Sequence, residues 1–228
     1  DGEPIYNLGL ALKYQRRYNE AYDRFYKSCW NAAWQDAGYF ACAQISTMQS
    51  RLEDALDEID RSLIRNWHNH KARALKTAIL RRMGRTEEAL QLIEDSLAID
   101  KFNFGCRYEK YLITNVVDEL SVMKEMMRGE PHNYDEIALD YCAAGCWQEA
   151  ASLWNIAIAE GIVTPMTYYY LGWCLHQGGL SGVKQAFADA VKACPDYCFP
   201  NRLEAILALQ CAMVQNPDDA RAPYYLGN

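Results

Sequence analysis

Residues 14–21 read YQRRYNEA, residues 48–55 read MQSRLEDA and residues 82–89 read RMGRTEEA. The three stretches align without gaps, and the alanines that end them follow one another at intervals of 34 residues. A fourth copy, AGCWQEA over 144–150, returns after a further 61 residues, which is one full period and a shortened remainder. A fixed period of this length is typical of chains built from stacked structural repeats.

Each repeat has the pattern of a helical hairpin. In the first repeat, one stripe of an α-helix, at spacings of three and four residues, holds Ile5, Leu8, Gly9 and Leu12. A short polar turn follows, and Ala21 on the next helix then meets the first helix where no larger side chain fits. The later copies repeat this arrangement, so the sequence predicts an all-α protein.

A family pattern is visible in the copy near residue 170. There, an aromatic residue, a Leu-Gly pair, a second aromatic residue, an alanine and a proline fall at Tyr168, Leu171, Gly172, Phe187, Ala190 and Pro195. These positions resemble the tetratricopeptide repeat, and the resemblance covers nearly the whole chain. It implies an α-solenoid of tetratricopeptide-like helix hairpins, wound into a right-handed superhelix whose inner surface is lined by the first helix of each hairpin.

The period also divides the chain, which we interpret as one solenoid over 1–228. The expected units are repeats at about 2–35, 36–69, 70–102, 132–164 and 165–197, a degenerate hairpin at 103–131, a lone helix at 200–215 and the start of a further repeat at 220–228. Terminal repeats normally carry a polar outer face, whereas this last hairpin is incomplete. We therefore expect the chain to be a fragment of a longer protein.

The closing stretches carry a narrower resemblance. PDYCFPNR over 195–202 and DARAPYYLGN over 219–228 are similar to segments of large bacterial multidomain proteins that have tetratricopeptide repeats after an N-terminal domain of unknown function. The resemblance implies a scaffold segment that can also make intramolecular contacts with flanking domains. It implies no activity and no catalytic residue.

A ligand groove is expected on the faces of the first helices that do not pack on neighbouring helices. Counted from the repeat pattern, the groove residues are Tyr6, Leu10, Tyr14, Phe40, Gln44, Lys71, Arg81, Asp135, Tyr169, Tyr170, Trp173, His176 and Tyr224. The set is aromatic and lightly charged, which suits an extended peptide or an amphipathic helix. Some of these side chains could instead pack against the next repeat, and an exposed patch is expected at Tyr169, Tyr170 and Trp173.

The composition of the chain limits the kinds of partner that it is expected to bind. The formal charge is −7, which argues against a nucleic-acid partner because phosphate binding needs clustered Lys and Arg. The uncharged stretch 161–183 is interrupted by Pro165 and five glycines, so no membrane insertion is expected. Nine cysteines without a C-x-x-C pair are interpreted as free, buried thiols, which favours a cytoplasmic location.

Residue types that carry chemistry are few. His68 and His70 form an H-x-H pair, but no carboxylate or cysteine lies close in sequence, and an inter-repeat turn explains them better than a metal site. Asp135 and Glu136 could act as an acid and base pair, yet they are expected in the first turn of a helix, where negative charge is favoured anyway. We therefore expect no catalytic residue, no metal and no cofactor.

The sequence thus favours a non-catalytic scaffold that binds a protein or peptide within a larger bacterial protein, not an enzyme. Fold alone never proves function, and two alternatives stay open. The chain could be a structural spacer or self-association module. It could also be an accessory segment of a carbohydrate-active enzyme, with its aromatic groove lining a sugar site.

Overall fold

The computed structural model describes residues 1–227, and Asn228, at the end of the expected further repeat, lies outside the described residues. The described chain forms fourteen α-helices and no β-strand, which confirms the predicted all-α fold class. The helices are α1 Glu3–Tyr14, α2 Tyr18–Ser28, α3 Gln35–Met48, α4 Leu52–Arg65, α5 His70–Arg82, α6 Thr86–Ile99, α7 Phe104–Thr114, α8 Val117–Met127, α9 Pro131–Ala143, α10 Trp147–Ala159, α11 Pro165–Gln177, α12 Val183–Lys192, α13 Leu203–Gln215 and α14 Arg221–Leu226. A short 3₁₀ helix, Ala32–Trp34, precedes α3.

The helices belong to two compact units. The first comprises residues 1–126 with 143–145, and the second comprises residues 127–142 with the described residues from 146 onward. The expectation of a single solenoid, and the handedness of its superhelix, stay predictions.

In the first unit the 34-residue period sets the packing. Ala21, Ala55 and Ala89 are all fully buried on the second helices of their hairpins. The reason for a small residue on the facing helix is visible at Gly9, where an added Cβ would lie 2.7 Å from the Phe25 ring. Paired helices therefore approach more closely than larger side chains would allow, as the alanine spacing predicts.

The turns inside the hairpins are equivalent as well. Arg16, Ser50 and Gly84, again 34 residues apart, all adopt left-handed backbone conformations, with φ of 62°, 60° and 75°. At the first of these turns the Arg17 amide donates to the Leu12 carbonyl, and the same six-residue closure recurs at the other two. This is the hydrogen bond that ends a helix with a left-handed residue and reverses the chain.

Two side chains of the first unit have environments that the repeat pattern does not predict. Leu8, on the apolar stripe of α1, is about half exposed. Glu58, an acidic residue of α4, is buried, and the Tyr22 hydroxyl donates to its Oε1 at 2.5 Å. Burial raises the Glu58 pKa, and the Tyr22 hydrogen bond partly opposes that shift.

In the second unit α11 is the central helix. It packs against α10, α12 and α13, and α14 packs on α13. Its Gly172 repeats the role of Gly9, because an added Cβ would lie 2.6 Å from the Phe187 ring. The helix expected to stand alone over 200–215 spans Leu203–Gln215 and packs on α11, α12 and α14.

Candidate functional site

The expected groove residues of the first unit have mixed environments. Tyr6, Leu10, Tyr14 and Phe40 are half-buried, and Lys71 is exposed. Gln44 is buried, and its Oε1 accepts from Lys13 Nζ at 2.6 Å. Arg81 forms a two-pronged ion pair with the buried carboxylate of Glu109, at 2.6 and 3.2 Å. That pair links α5 to α7, so Arg81 has a structural contact in place of the free groove position expected for it.

The expected exposed patch on α11 is wrong. Tyr169, Tyr170 and Trp173 are only 0%, 3% and 7% exposed. The Tyr169 hydroxyl donates to Asp219 Oδ2 at 2.7 Å, which fixes it between α11 and the start of α14. Tyr170 and Trp173 instead contact aromatic rings of the preceding helix α10, so both sides of α11 are covered.

One repeat position explains much of this burial. Tyr6, Asp135 and Tyr169 occupy equivalent places on α1, α9 and α11, and each contacts the large aromatic residue of its own hairpin partner. Those contacts are Tyr6 to Phe25 at 5.2 Å between ring centroids, Asp135 Oδ1 to Trp154 Nε1 at 2.9 Å, and Tyr169 to Phe187 at 6.5 Å between ring centroids. The position therefore faces the hairpin interior, and not a groove.

Asp135 also differs from its expected place along the helix. It is the fifth residue of α9, and so lies beyond the first turn, and it is only 2% exposed. Its neighbour Glu136 is exposed and forms an ion pair with Arg202. Of the remaining expected groove residues, His176 and Tyr224 are exposed.

An open cleft in the second unit brings Asp135 together with a segment that sequence reasoning did not consider as a site. We call it the 197–202 cleft. Its lining consists of His132, Asp135, Thr164, Met166, Tyr170 and the segment 197–202. The segment is part of the connection between α12 and α13, which also contains Pro195. Within the segment are Pro200 and Tyr197, and Tyr197 has a left-handed φ of 56°. Two prolines and a left-handed residue keep this connection out of a helix.

The rim of the 197–202 cleft is aromatic and its base is polar. Tyr197 and Phe199 are 92% and 76% exposed, so their rings stand in solvent without covering neighbours. At the base, burial raises the pKa of Asp135 to about 6, while the Trp154 hydrogen bond and the nearby charges of His132 and Arg202 favour its ionised form. Single exposed aromatics are common, but two on one segment beside a buried acid are not expected from folding alone.

Cys198, which lines the cleft, is buried. Burial raises the pKa of the Cys198 thiol, which disfavours the thiolate needed for attack. Within residues 1–227 no three His, Cys, Asp or Glu side chains are grouped so as to hold a metal ion. Cys194 is exposed and Cys211 half-buried, so the expectation of buried thiols fails for these two, while the other seven are buried.

Sequence reasoning missed Tyr197, Phe199 and Arg202. The signal that could have found them is the stretch PDYCFPNR over 195–202, where two aromatic residues stand between prolines and the helical periodicity is lost.

Comparisons with known proteins give the fold. No protein-family model matches the chain, and no curated protein matches its sequence. A solved tetratricopeptide-repeat protein from Parabacteroides merdae ATCC 43184 is 16% identical, with a TM-score of 0.50 over 99% of this chain and 83% of its own. The type IV pilus biogenesis factor PilW is 13% identical, with a TM-score of 0.52 over 90% of this chain and 98% of its own.

A third likeness is to a chain of the APC/C hetero-tetramer Cut9-Hcn1, at 10% identity and a TM-score of 0.50, over 100% of this chain and 42% of that one. Identities this low show the fold alone. The chain has the tetratricopeptide-repeat fold, as the repeat pattern predicts. Within residues 1–227, moreover, each helix is too short or too polar to cross a lipid bilayer.

Proposed function

We propose that the chain is a non-catalytic scaffold that binds a peptide segment of a partner protein, and that the 197–202 cleft is a principal contact site. The observation that supports this most directly is the exposed pair Tyr197 and Phe199 above a buried carboxyl group. Rigid aromatic side chains at the mouth of a cleft are the groups that contribute most to protein recognition.

The first-helix groove stays part of the proposal where its residues are accessible. Leu10 and Tyr14 offer half-buried apolar surface on α1, and Lys71 is exposed on α5. An extended peptide is long enough to contact several helices of one unit, since each residue spans up to about 3.3 Å. These residues are secondary contacts in our proposal.

Selection from a phage-displayed library of random dodecapeptides tests the function and does not require an identified partner. The intact chain is the bait, beside a Tyr197→Ser, Phe199→Ser double variant. Trp30→Ser is the matched control, because Trp30 is equally exposed but lies in the first unit. We expect peptides that bind the chain and the control and lose at least ten-fold affinity for the double variant, which corresponds to about 1.4 kcal/mol.

No enriched peptide with any bait, while all three proteins remain folded by circular dichroism, would contradict the scaffold function. In that case self-association is the next candidate, because Trp30 and Ile64 expose large apolar surface in the first unit. Sedimentation velocity over a hundred-fold concentration range would detect it. Quenching of tryptophan fluorescence by added saccharides would instead favour a carbohydrate-active context.

The proposal also includes the larger protein and the cellular compartment to which the chain belongs. The resemblance of the closing stretches supports a place within a larger bacterial multidomain protein, where flanking domains could themselves supply the bound segment. Free thiols at all nine cysteines support a cytoplasmic location.

A further inference from the structure

Asp135 has one oxygen that folding does not use. Its Oδ1 accepts from the Trp154 indole, but the basic group closest to Oδ2 among the described residues is the His132 imidazole, whose Nδ1 lies 4.0 Å away and is charged only when protonated. The side chain lines the 197–202 cleft although it is almost wholly buried. A buried carboxylate is normally compensated by a close cation or by several hydrogen bonds, and Asp135 has one hydrogen bond.

The charge of the surroundings selects the sign of a ligand. Arg202 also lines the cleft and favours the ionised form of Asp135, but its own ion pair is with Glu136. The negative charge of Glu130 also acts on Asp135 and raises its pKa. One negative charge therefore remains at the base of the cleft, and the whole chain carries a formal charge of −7, which attracts cationic partners.

The rim adds a second feature that suits a cation. Tyr197 and Phe199 are largely exposed to solvent, and they line the cleft together with Asp135 and the buried Tyr170. Aromatic faces attract ammonium and guanidinium groups, and they also pack against the aliphatic stems of Lys and Arg. An anion would meet a buried carboxylate here, and a purely apolar group would leave that carboxylate uncompensated.

We propose that the 197–202 cleft holds an arginine or lysine side chain of the partner peptide, with its charge at Asp135 Oδ2 and its stem against the rings of Tyr197 and Phe199. This inference rests on the proposed scaffold function and specifies the chemistry that its cleft recognises. Trp154 is not itself a ligand contact in this arrangement. Its indole reports on the acid that it hydrogen-bonds.

The indole N–H signals in a ¹H–¹⁵N spectrum test the proposal directly. The chain has six tryptophans, and loss of one signal in Trp154→Phe assigns the reporter. The probes are N-acetyl-arginine methylamide, its neutral analogue N-acetyl-citrulline methylamide and the anionic N-acetyl-glutamate methylamide. We expect a saturable shift of the Trp154 indole with the arginine probe, and binding at least ten-fold weaker for the other two.

Two variants distinguish the effect of the Asp135 charge from the effect of any nearby negative charge. Asp135→Asn keeps an oxygen for the Trp154 bond and removes the charge, so binding of the arginine probe should weaken at least ten-fold. Asp196→Asn removes an exposed charge from the same connection and should leave affinity within two-fold. If Asp135→Asn fails to fold, as judged from the other five indole signals, the exposed pair Tyr197→Ser and Phe199→Ser should still weaken binding.

Equal shifts with the arginine and citrulline probes, or unchanged affinity in Asp135→Asn, would overturn the cation site. That failure is distinct from failure of the scaffold function. Selected peptides that require Tyr197 and Phe199 but contain no basic residue would leave the scaffold standing and refute the cationic ligand.

Discussion

The raised pKa of Asp135 makes the stability of the second unit depend on pH in a defined direction. Burial disfavours the ionised carboxyl group, so the folded state binds the proton more tightly than the unfolded state, whose ordinary value is 3.8. The contribution of Asp135 to the free energy of unfolding therefore falls as pH rises from about 3.8 to about 6 and is constant above that range. Replacing the acid with Asn should remove this dependence.

The magnitude follows from the two pKa values. A separation of about two units corresponds to about 3 kcal/mol between full protonation and full ionisation. Between about pH 4.5 and about pH 7.5 roughly two-thirds of this is traversed, so the Asp135→Asn variant should gain about 2 kcal/mol relative to the wild type across that interval. Titrations of all other carboxyl groups cancel in this difference.

Urea unfolding at the two pH values, followed by tryptophan fluorescence and far-UV circular dichroism, measures the difference. Asp189→Asn is an informative control because Gln185 and Lys192 lower the pKa of Asp189. Its carboxylate stabilises the folded state above the ordinary pKa of 3.8 and loses that effect only as pH falls below that value, so the difference between wild type and Asp189→Asn should stay nearly constant across the same interval. A difference between wild type and Asp135→Asn that is the same at both pH values would refute the reasoning.

Two further predictions concern packing and a buried ion pair, and both are measured by urea unfolding. Gly172→Ala places a methyl group against the buried Phe187 ring and should lower the free energy of unfolding by about 1–3 kcal/mol, whereas Gly227→Ala, where the nearest atoms lie at ordinary contact distance, should stay within about 0.5 kcal/mol. Equal effects of the two would contradict the close-approach argument. Arg81→Met leaves the buried Glu109 carboxylate without its guanidinium partner and should cost about 3–5 kcal/mol. Adding Glu109→Leu removes the uncompensated charge and should recover much of that loss.

The repeat and its hairpins were predictable because helices that pack in the same way in each repeat need the same residue types at the same interval of the sequence. Ala21, Ala55 and Ala89 mark the close approach of paired helices, and all three are fully buried. A small side chain recurs at a fixed interval when one helix pair is built again and again, so the fold class could be inferred without any structure. The left-handed turn residues illustrate the limit of that inference, since Arg16 and Ser50 adopt the conformation for which the third and fourth copies have a glycine, Gly84 and Gly145.

Exposure along the first helices was less predictable. A first helix contacts its own partner, the preceding hairpin and the following one, so the 3.6-residue period assigns a face but does not say which neighbour covers it. Trp173 was misassigned for this reason, because Trp147 on α10 covers its ring. The Tyr197–Arg202 segment was missed because it lies between repeats, so it has no equivalent segment in the other copies with which it could be aligned.

Asp135 is involved in both errors, the wrongly predicted exposure along the first helices and the missed 197–202 segment. At the equivalent repeat position Tyr6 and Tyr169 place aromatic rings against their hairpin partners, and α9 alone of these three helices places an acid there. An apolar residue would fill this position without the desolvation that raises the Asp135 pKa, so the acid works against folding at neutral pH. Local departures that destabilise a fold are most often found where a chain binds or reacts. The departure at Asp135 opens onto the same cleft that the aperiodic segment covers, and this coincidence is our strongest reason for assigning ligand binding to it.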